Sequence, residues 1–288
     1  MMPPTLDDAE LDGAFVCADT DGRLPGVLAL GGSDGGIPTY LKRLLEAERC
    51  ACLALAYHGS PKTQPNLIEV PLERLERALR WLRDHPRVAP RDGRVAVVGA
   101  SKGAELALVL AARFPDLVGP VVAYTPSSVV WAGIDFSAPG APPRSSWSRA
   151  GKPLKFVPLP PGVPLVQTER GLSLAPIYDR GLDGVAADDA AIIPIERATG
   201  PVLLISGSDD RMWPAQRMCR MLVERARRFG REELVQHLDF ADAGHALFPV
   251  EAGSELKQPM PFDLGGSEAA AARAHEGVWA DVVRVLLE

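Results

Sequence analysis

The feature that most constrains this chain is the run VAVVGASKGAELALVLAARF, residues 95–114. Val95 to Val98 is a short apolar, β-branched segment that reads as a buried strand. Residues 102 to 114 read as a helix that is apolar almost all round, the pattern of a helix covered by a sheet and its neighbours. Between them lies Gly99-Ala100-Ser101-Lys102-Gly103. Two glycines at that spacing permit a strand to pass into a helix through a turn too sharp for side chains on either side of the serine.

The rest of the chain is built around the same alternation. Apolar runs at Val27 to Leu30, Ala51 to Tyr57, Val118 to Tyr124, Val202 to Ser206 and Leu234 to Phe240 read as strands. Helical patterns fall between them, at 38–48, 71–84 and 214–229, and a C-terminal helix covers about 267–287 with Ser267 as N-cap. In the helix 71–84, Leu72, Leu75, Leu79 and Leu82 share one face, and Glu73 with Arg77 and Glu76 with Arg80 form i,i+4 pairs on the other. Strands alternating with helices predict a mostly parallel, doubly wound sheet in one domain spanning 1–288. Residues 135–195 break the rhythm. They carry Pro139, Pro142, Pro143, Pro153, Pro158, Pro160, Pro161, Pro164 and Pro176, and are expected to form a cap or lid inserted between two strands.

Composition narrows the function classes. A net charge of −6 gives no support to a nucleic-acid partner or an anionic membrane surface. No stretch of about 18 uninterrupted apolar residues is present, so no membrane span is expected. The start, MMPPTLDDAELDGAF, lacks the basic and apolar regions of a secretory signal. Cys17, Cys50, Cys52 and Cys219 do not have zinc-site spacing and are expected to be buried thiols in a reducing, cytoplasmic compartment. No metal and no cofactor is expected.

Gly99-Ala100-Ser101-Lys102-Gly103 matches G-x-S-x-G and sits on the strand–turn–helix that the nucleophile elbow of an α/β-hydrolase requires. A serine hydroxyl needs a base, and in this fold an acid and a histidine follow on loops after later strands. Strand 202–206 ends in Gly207-Ser208-Asp209-Asp210, and Asp210 has the G-x-x-D-x-x-x-P spacing to Gly207 and Pro214; Asp209 is the alternative acid. Of the five histidines, His85, His237 and His275 lie at a helix end, in a strand and in a helix, and His58 comes too early in the chain. His245, in Ala243-Gly244-His245-Ala246 after the last strand, is the candidate base. The oxyanion donors expected are the backbone N–H of Lys102 and an N–H in GGSDGG (31–36), with Ser33 preferred and Asp34 next. Trp131 and Trp213 flank these motifs and are candidates for the acyl pocket or for core packing, as Asp34 is for substrate contact. Lys102 and Glu105 are either orienting groups or a local charge pair.

The runs VVGASKGAELALVLAARFPD, TPSSVVWAGI, IPIERATGPVLLISGSDDRMWPA and DAGHALF, with HGSPKTQPNLIEVPLERLERALRWLRDHP, resemble the catalytic domain of the acyl-CoA thioesterase / bile acid-CoA:amino acid N-acyltransferase family over roughly residues 20–285. The resemblance implies an α/β-hydrolase fold, acyl-CoA-type thioester substrates, and a Ser or Cys nucleophile with a downstream Asp and His, here Ser101, Asp210 and His245. Long members carry an N-terminal β-sandwich domain, whereas about 25 residues precede the first core strand here. Amino acid-conjugating members use Cys, so Ser101 resembles the hydrolytic branch and water is the expected acceptor. The expectation is therefore a hydrolase acting on an acyl thioester of CoA or of an acyl carrier protein. Three rivals keep the same fold: hydrolysis of an oxygen ester, lactone or amide; acyl transfer to an amine or alcohol; and a binding domain without catalysis.

Overall fold

The computed structural model describes residues 5–135, 137–138, 140–247 and 262–288. Pro139 of the insertion and Phe248, the end of the DAGHALF run, lie outside the described residues. In chain order the elements are β1 (Asp12–Cys17), β2 (Gly26–Leu30), α1 (Thr39–Glu46), β3 (Ala51–Ala56), β4 (Val70–Pro71), α2 (Leu72–Asp84), β5 (Val95–Ala100), α3 (Lys102–Arg113) and β6 (Val118–Tyr124). They continue as β7 (Trp147–Arg149), β8 (Lys152–Pro153), β9 (Val166–Thr168), β10 (Gly171–Ser173), α4 (Ala175–Leu182), β11 (Val202–Gly207), α5 (Ala215–Arg228), β12 (Val235–Phe240) and α6 (Glu268–Leu287).

Seven strands form the central sheet in the order β1-β3-β2-β5-β6-β11-β12, all parallel except β1, which runs antiparallel to β3. The inner strands are buried on both faces, which explains why they read as continuous apolar runs rather than alternating ones. Along β5 the residues divide between two cores: Val95 and Val97 pack with α2, α3 and α5, while Ala96, Val98 and Ala100 pack with α1 and α6. The leucine stripe of α2 (Leu72, Leu75, Leu79, Leu82) is buried as its spacing requires, and Ser267 Oγ caps α6 by accepting the Ala270 N–H at 3.2 Å. The strand order reverses so that loops after β2, β5, β11 and β12 gather at the carboxyl ends of the strands, where ligands of open α/β sheets bind.

Four details differ from the sequence reading. β1 is a strand that its composition conceals. Helix α2 starts at Leu72, with Pro71 as its extended N-cap residue. Glu76 pairs with Arg80 at 2.7 Å, but Glu73 accepts the Ala150 N–H at 2.6 Å and Arg77 stands 3.7 Å from Glu10. Cys17 is half-buried, whereas Cys50, Cys52 and Cys219 are buried, and all four are free.

The proline-rich stretch is structured and stitched down. Its first part pairs β7 with β4 and with β8, and adds a bidentate Arg144–Glu69 ion pair and the Asn66–Asp135 hydrogen bond. Its second part is the β9–β10 hairpin and α4, tied to α5 through Arg217 to Asp179 and Asp183. No helix among the described residues is long and apolar enough to cross a membrane.

Candidate active site

Ser101 occupies the turn between β5 and α3 with φ 54° and ψ −120°, a conformation that non-glycine residues rarely adopt. The turn is closed by backbone approaching backbone. A Cβ on Gly99 would sit 2.2 Å from Gly103 O, and one on Gly103 would sit 2.2 Å from Gly31 O. No side chain fits either place, so both glycines are fixed by the same close packing that drives the serine above the sheet edge.

Three side chains from three loops then meet in line. His245 Nε2 lies 2.9 Å from Ser101 Oγ, and His245 Nδ1 lies 2.8 Å from Asp210 Oδ2. Asp210 Oδ1 accepts the N–H groups of Met212 (2.9 Å) and Trp213 (3.2 Å), which fixes the carboxylate from its other side. The Asp210 side chain is fully buried and that of His245 is nearly so, while Ser101 is half-buried. Asp209, the alternative acid, turns away: its carboxylate takes Arg211 Nε at 3.0 Å and the Gly266 N–H at 2.8 Å. Neither His237, which meets Ser206 Oγ at 2.8 Å, nor His275 contacts this line, and His58 is buried against the far end of the 31–36 loop, where its carbonyl accepts the Gly36 N–H at 2.9 Å.

The candidate oxyanion loop lies against Ser101. A Cβ on Gly32 would be 3.5 Å from Ser101 Cβ and 3.2 Å from Asp34 Oδ1, which brings the backbone of 31–34 beside Ser101. Tyr57 Oη reaches Gly31 O (2.7 Å) and Gly32 O (3.0 Å), pinning the loop through its carbonyls. Ser33 is half-buried there, and the Asp34 residue is exposed although burial of its carboxyl lifts its pKa above the usual carboxylate value. The N–H groups of Ala104 and Glu105 bond to Ser101 O, so the Lys102 N–H lies ahead of the first intrahelical bonds, where helix amides have no partner within the helix.

The Lys102 side chain points elsewhere. Its ammonium is buried 2.7 Å from Glu105 Oε2, beneath the elbow. Glu105 Oε1 also accepts Trp147 Nε1–H at 2.8 Å and the Trp131 N–H at 3.4 Å. Burial lowers the pKa of Lys102 and raises that of Glu105, each shift opposed by the partner's charge. Of the two readings left open for this pair, the structure has a buried charge pair that also anchors Trp131, just before the insertion, and Trp147, within it.

Trp213 stands edge-on to His245 with ring centroids 5.5 Å apart, and its Nε1–H donates to Thr125 O. Trp131 is two aromatic contacts further out, through Tyr178 of α4. Both indoles are buried; Trp213 borders the Ser101–His245–Asp210 line directly, and Trp131 reaches it through Tyr178 of the insertion. Tyr178, Arg211 and Asp263 escaped the sequence reading. The run Asp209-Asp210-Arg211, two carboxylates followed by a guanidinium at a strand end, was the one available signal for Arg211. Among the described residues no cluster of three or more His, Cys, Asp or Glu side chains could hold a metal ion. A surface pocket lined by Val16, Cys17, Ala18, Leu45, Glu46 and Cys50 is at the opposite, amino-terminal end of the parallel strands.

Comparison with known proteins places the chain. The family described as BAAT / Acyl-CoA thioester hydrolase C terminal matches residues 70–287. The chain belongs to this family. Mouse (Mus musculus) acyl-coenzyme A thioesterase 6 is 29% identical over 271 residues, which is 90% of this chain and 58% of that protein. Mouse acyl-coenzyme A amino acid N-acyltransferase 2 is 26% identical over 284 residues, 96% of this chain and 63% of that protein. The chain thus spans about three fifths of the length of these family members. Among solved structures, Est1E from Butyrivibrio proteoclasticus superposes with a TM-score of 0.52 at 12% identity, covering 98% of this chain and 99% of that one. The esterase domain of a Rhodothermus marinus protein gives 0.51 at 13%, covering 96% and 93%. At these identities the likeness concerns the fold, which is the α/β-hydrolase fold with an insertion before β11.

Proposed function

We propose that this family member is a serine hydrolase that cleaves acyl thioesters through an acyl-Ser101 intermediate. The observation that carries the reading is the unbroken line from Ser101 Oγ to His245 Nε2 at 2.9 Å and from His245 Nδ1 to Asp210 at 2.8 Å. Ser101 Oγ attacks the acyl carbonyl while His245 takes its proton, and Asp210 holds the imidazole in the required tautomer and steadies the imidazolium. The developing oxyanion is received by the N–H groups of Lys102 and Ser33, each such donor contributing about 3 kcal/mol to the transition state. His245 gives that proton to the departing sulfur, which leaves as the thiol, and the neutral imidazole then takes a proton from an entering water, whose attack on the acyl-Ser101 ester releases the acid as His245 returns the proton to Ser101 Oγ. The acyl chain would lie along the side of Trp213, with the insertion above it.

The choice of a thioester rests on the family and on its thioesterase members. A second reading, transfer of the acyl group to an amine, is favoured by the amino acid N-acyltransferases among the relatives. Serine at 101 supports water, since its ester is a less activated acyl donor than a cysteine thioester. The test is intact-mass spectrometry with acyl-CoA, acyl-carrier thioesters and matching oxygen esters, alongside thiol release. The expected result is a transient acyl adduct on Ser101, free acid as product, and no adduct in Ser101→Ala. Unchanged turnover in Ser101→Ala would refute the mechanism; a faster oxygen ester would refute the substrate class; an amide product would favour transfer.

A further inference from the structure

Residues 262–266 form a strap that touches every loop carrying the acid and the base. Leu264 O accepts the His245 N–H at 2.7 Å. Gly265 makes a β-bridge with Asp210, and Gly266 N–H donates to Asp209. The fit is close: Gly265 has φ +72°, and a Cβ there would overlap Asp209 O at 1.6 Å. The strap is itself held by the side chain of Asp263, which is 1% exposed. Asp263 Oδ2 accepts Thr168 Oγ1–H (2.7 Å) and Arg211 Nη1–H (3.0 Å), and Oδ1 accepts the Gly265 N–H (2.9 Å) with Arg170 Nε at 3.3 Å. Arg211 continues from Asp263 to Asp209, and its carbonyl accepts Ser173 Oγ–H and the N–H groups of Leu174 and Ala175. One buried carboxylate therefore joins the β9–β10 hairpin of the insertion, the loop of the acid, and the strap under the base.

We propose that Asp263 is a positioning residue for this catalytic line: it sets the separation of Asp210 and His245 and ties it to the insertion hairpin. The inference rests on the triad reading above. None of its contacts reaches the reacting atoms. Its influence passes through the 264–265 backbone to His245 N–H and to the Asp210 bridge. Burial works against the charge on Asp263, but the Gly265 amide, the Thr168 hydroxyl and the two guanidiniums outweigh it and hold its pKa below the ordinary carboxylate value. The carboxylate is thus charged wherever a serine–histidine pair works, and the clamp is closed. The groups facing it are Arg170, Arg211 and Asp209; those facing His245 are Asp210 and Ser101, with the Trp213 ring.

The experiment uses a fluorophosphonate probe, which needs an activated serine but no particular acyl group, with labelling followed by intact mass. Its companion is the far-downfield proton resonance of the His245 Nδ1–H bonded to Asp210, assigned by its absence in His245→Gln. Asp263→Asn should label about 10- to 100-fold more slowly, as a small misplacement of catalytic groups costs. It should also lose or shift the resonance while keeping the wild-type circular dichroism. Thr168→Val should slow labelling several-fold, and Thr168→Ser, which keeps the hydroxyl, should not. Asp263→Asn labelling at the wild-type rate with the resonance in place overturns the proposal, even if its Tm falls. Should Asp263→Asn fail to fold, equal rates in Thr168→Val and Thr168→Ser overturn it. Wild-type protein that does not label at all refutes the triad reading itself, a separate outcome.

Discussion

Glu105→Gln tests the buried pair under the elbow. In the native protein Glu105 and Lys102 are both buried, 2.7 Å apart, and Glu105 Oε1 also serves Trp147 and Trp131. Gln keeps an oxygen for the Trp147 N–H, so the change removes the countercharge and little else. Leaving one member of a buried pair alone costs about 3–5 kcal/mol. With an unfolding entropy of about 2.1 cal/mol/K per residue, 288 residues give about 0.6 kcal/mol per degree, so Tm should fall by roughly 5–8 °C. Lys102→Met, which retains the backbone N–H, leaves the carboxylate uncompensated and should cost a similar amount. The double variant removes both charges and should recover at least half of the summed loss, because the desolvation of both ions disappears with them. Thermal and urea unfolding at neutral pH, at low and high salt, complete the cycle; the coupling should barely respond to salt, as buried pairs are weakly screened. Two single variants costing under about 1 kcal/mol each, and adding without coupling, would show that burial of this pair has been misread.

Three further outcomes follow from features of the site. Ser101→Gly should be more stable than Ser101→Ala by about 1 kcal/mol, because relief of about 1–3 kcal/mol of backbone strain at φ 54° exceeds the entropy cost of glycine; paired thermal melts of the two inactive variants check it. Gly103→Ala places a methyl 2.2 Å from Gly31 O and 2.4 Å from Leu30 O, so its cost should exceed the roughly 1–3 kcal/mol usual for overpacking, with probe labelling lost as the 31–34 loop is displaced. The lowered pKa of Asp263 gives the wild type a stability advantage over Asp263→Asn that is full above the unfolded carboxylate value of 3.8. That advantage should shrink as pH falls below 3.8 and through the lower folded value, which a series of melts across acid pH would follow.

Most of the sheet was legible because parallel strands buried on both faces are nearly continuous apolar runs, as GVLAL, ACLALA and the VLLI of β11 are. β1 was not, since DGAFVC is half-buried, opens with Asp and Gly, and takes its strand form from pairing with β3. The strands of the insertion are two or three residues long and lie among prolines, too short to show a period. The line Ser101–Asp210–His245 could be read because each member sits just past a strand whose end the topology fixes. Asp263 could not, because its partners at 168, 170 and 211 converge only after folding, and nothing local in Phe262-Asp263-Leu264 distinguishes it from a turn aspartate. The same holds for Glu105, whose importance comes from Trp131 and Trp147 arriving from outside its own helix.

The edge-on stacking of Trp213 on His245 gives the protein an optical signal of its own. A protonated imidazole next to an indole quenches its emission far more than a neutral one does, and in the mechanism proposed above His245 gains and loses a proton within each cycle. Trp213 emission should therefore dip and recover with each turnover, a stopped-flow trace readable without any label, once the other four tryptophans are replaced or subtracted.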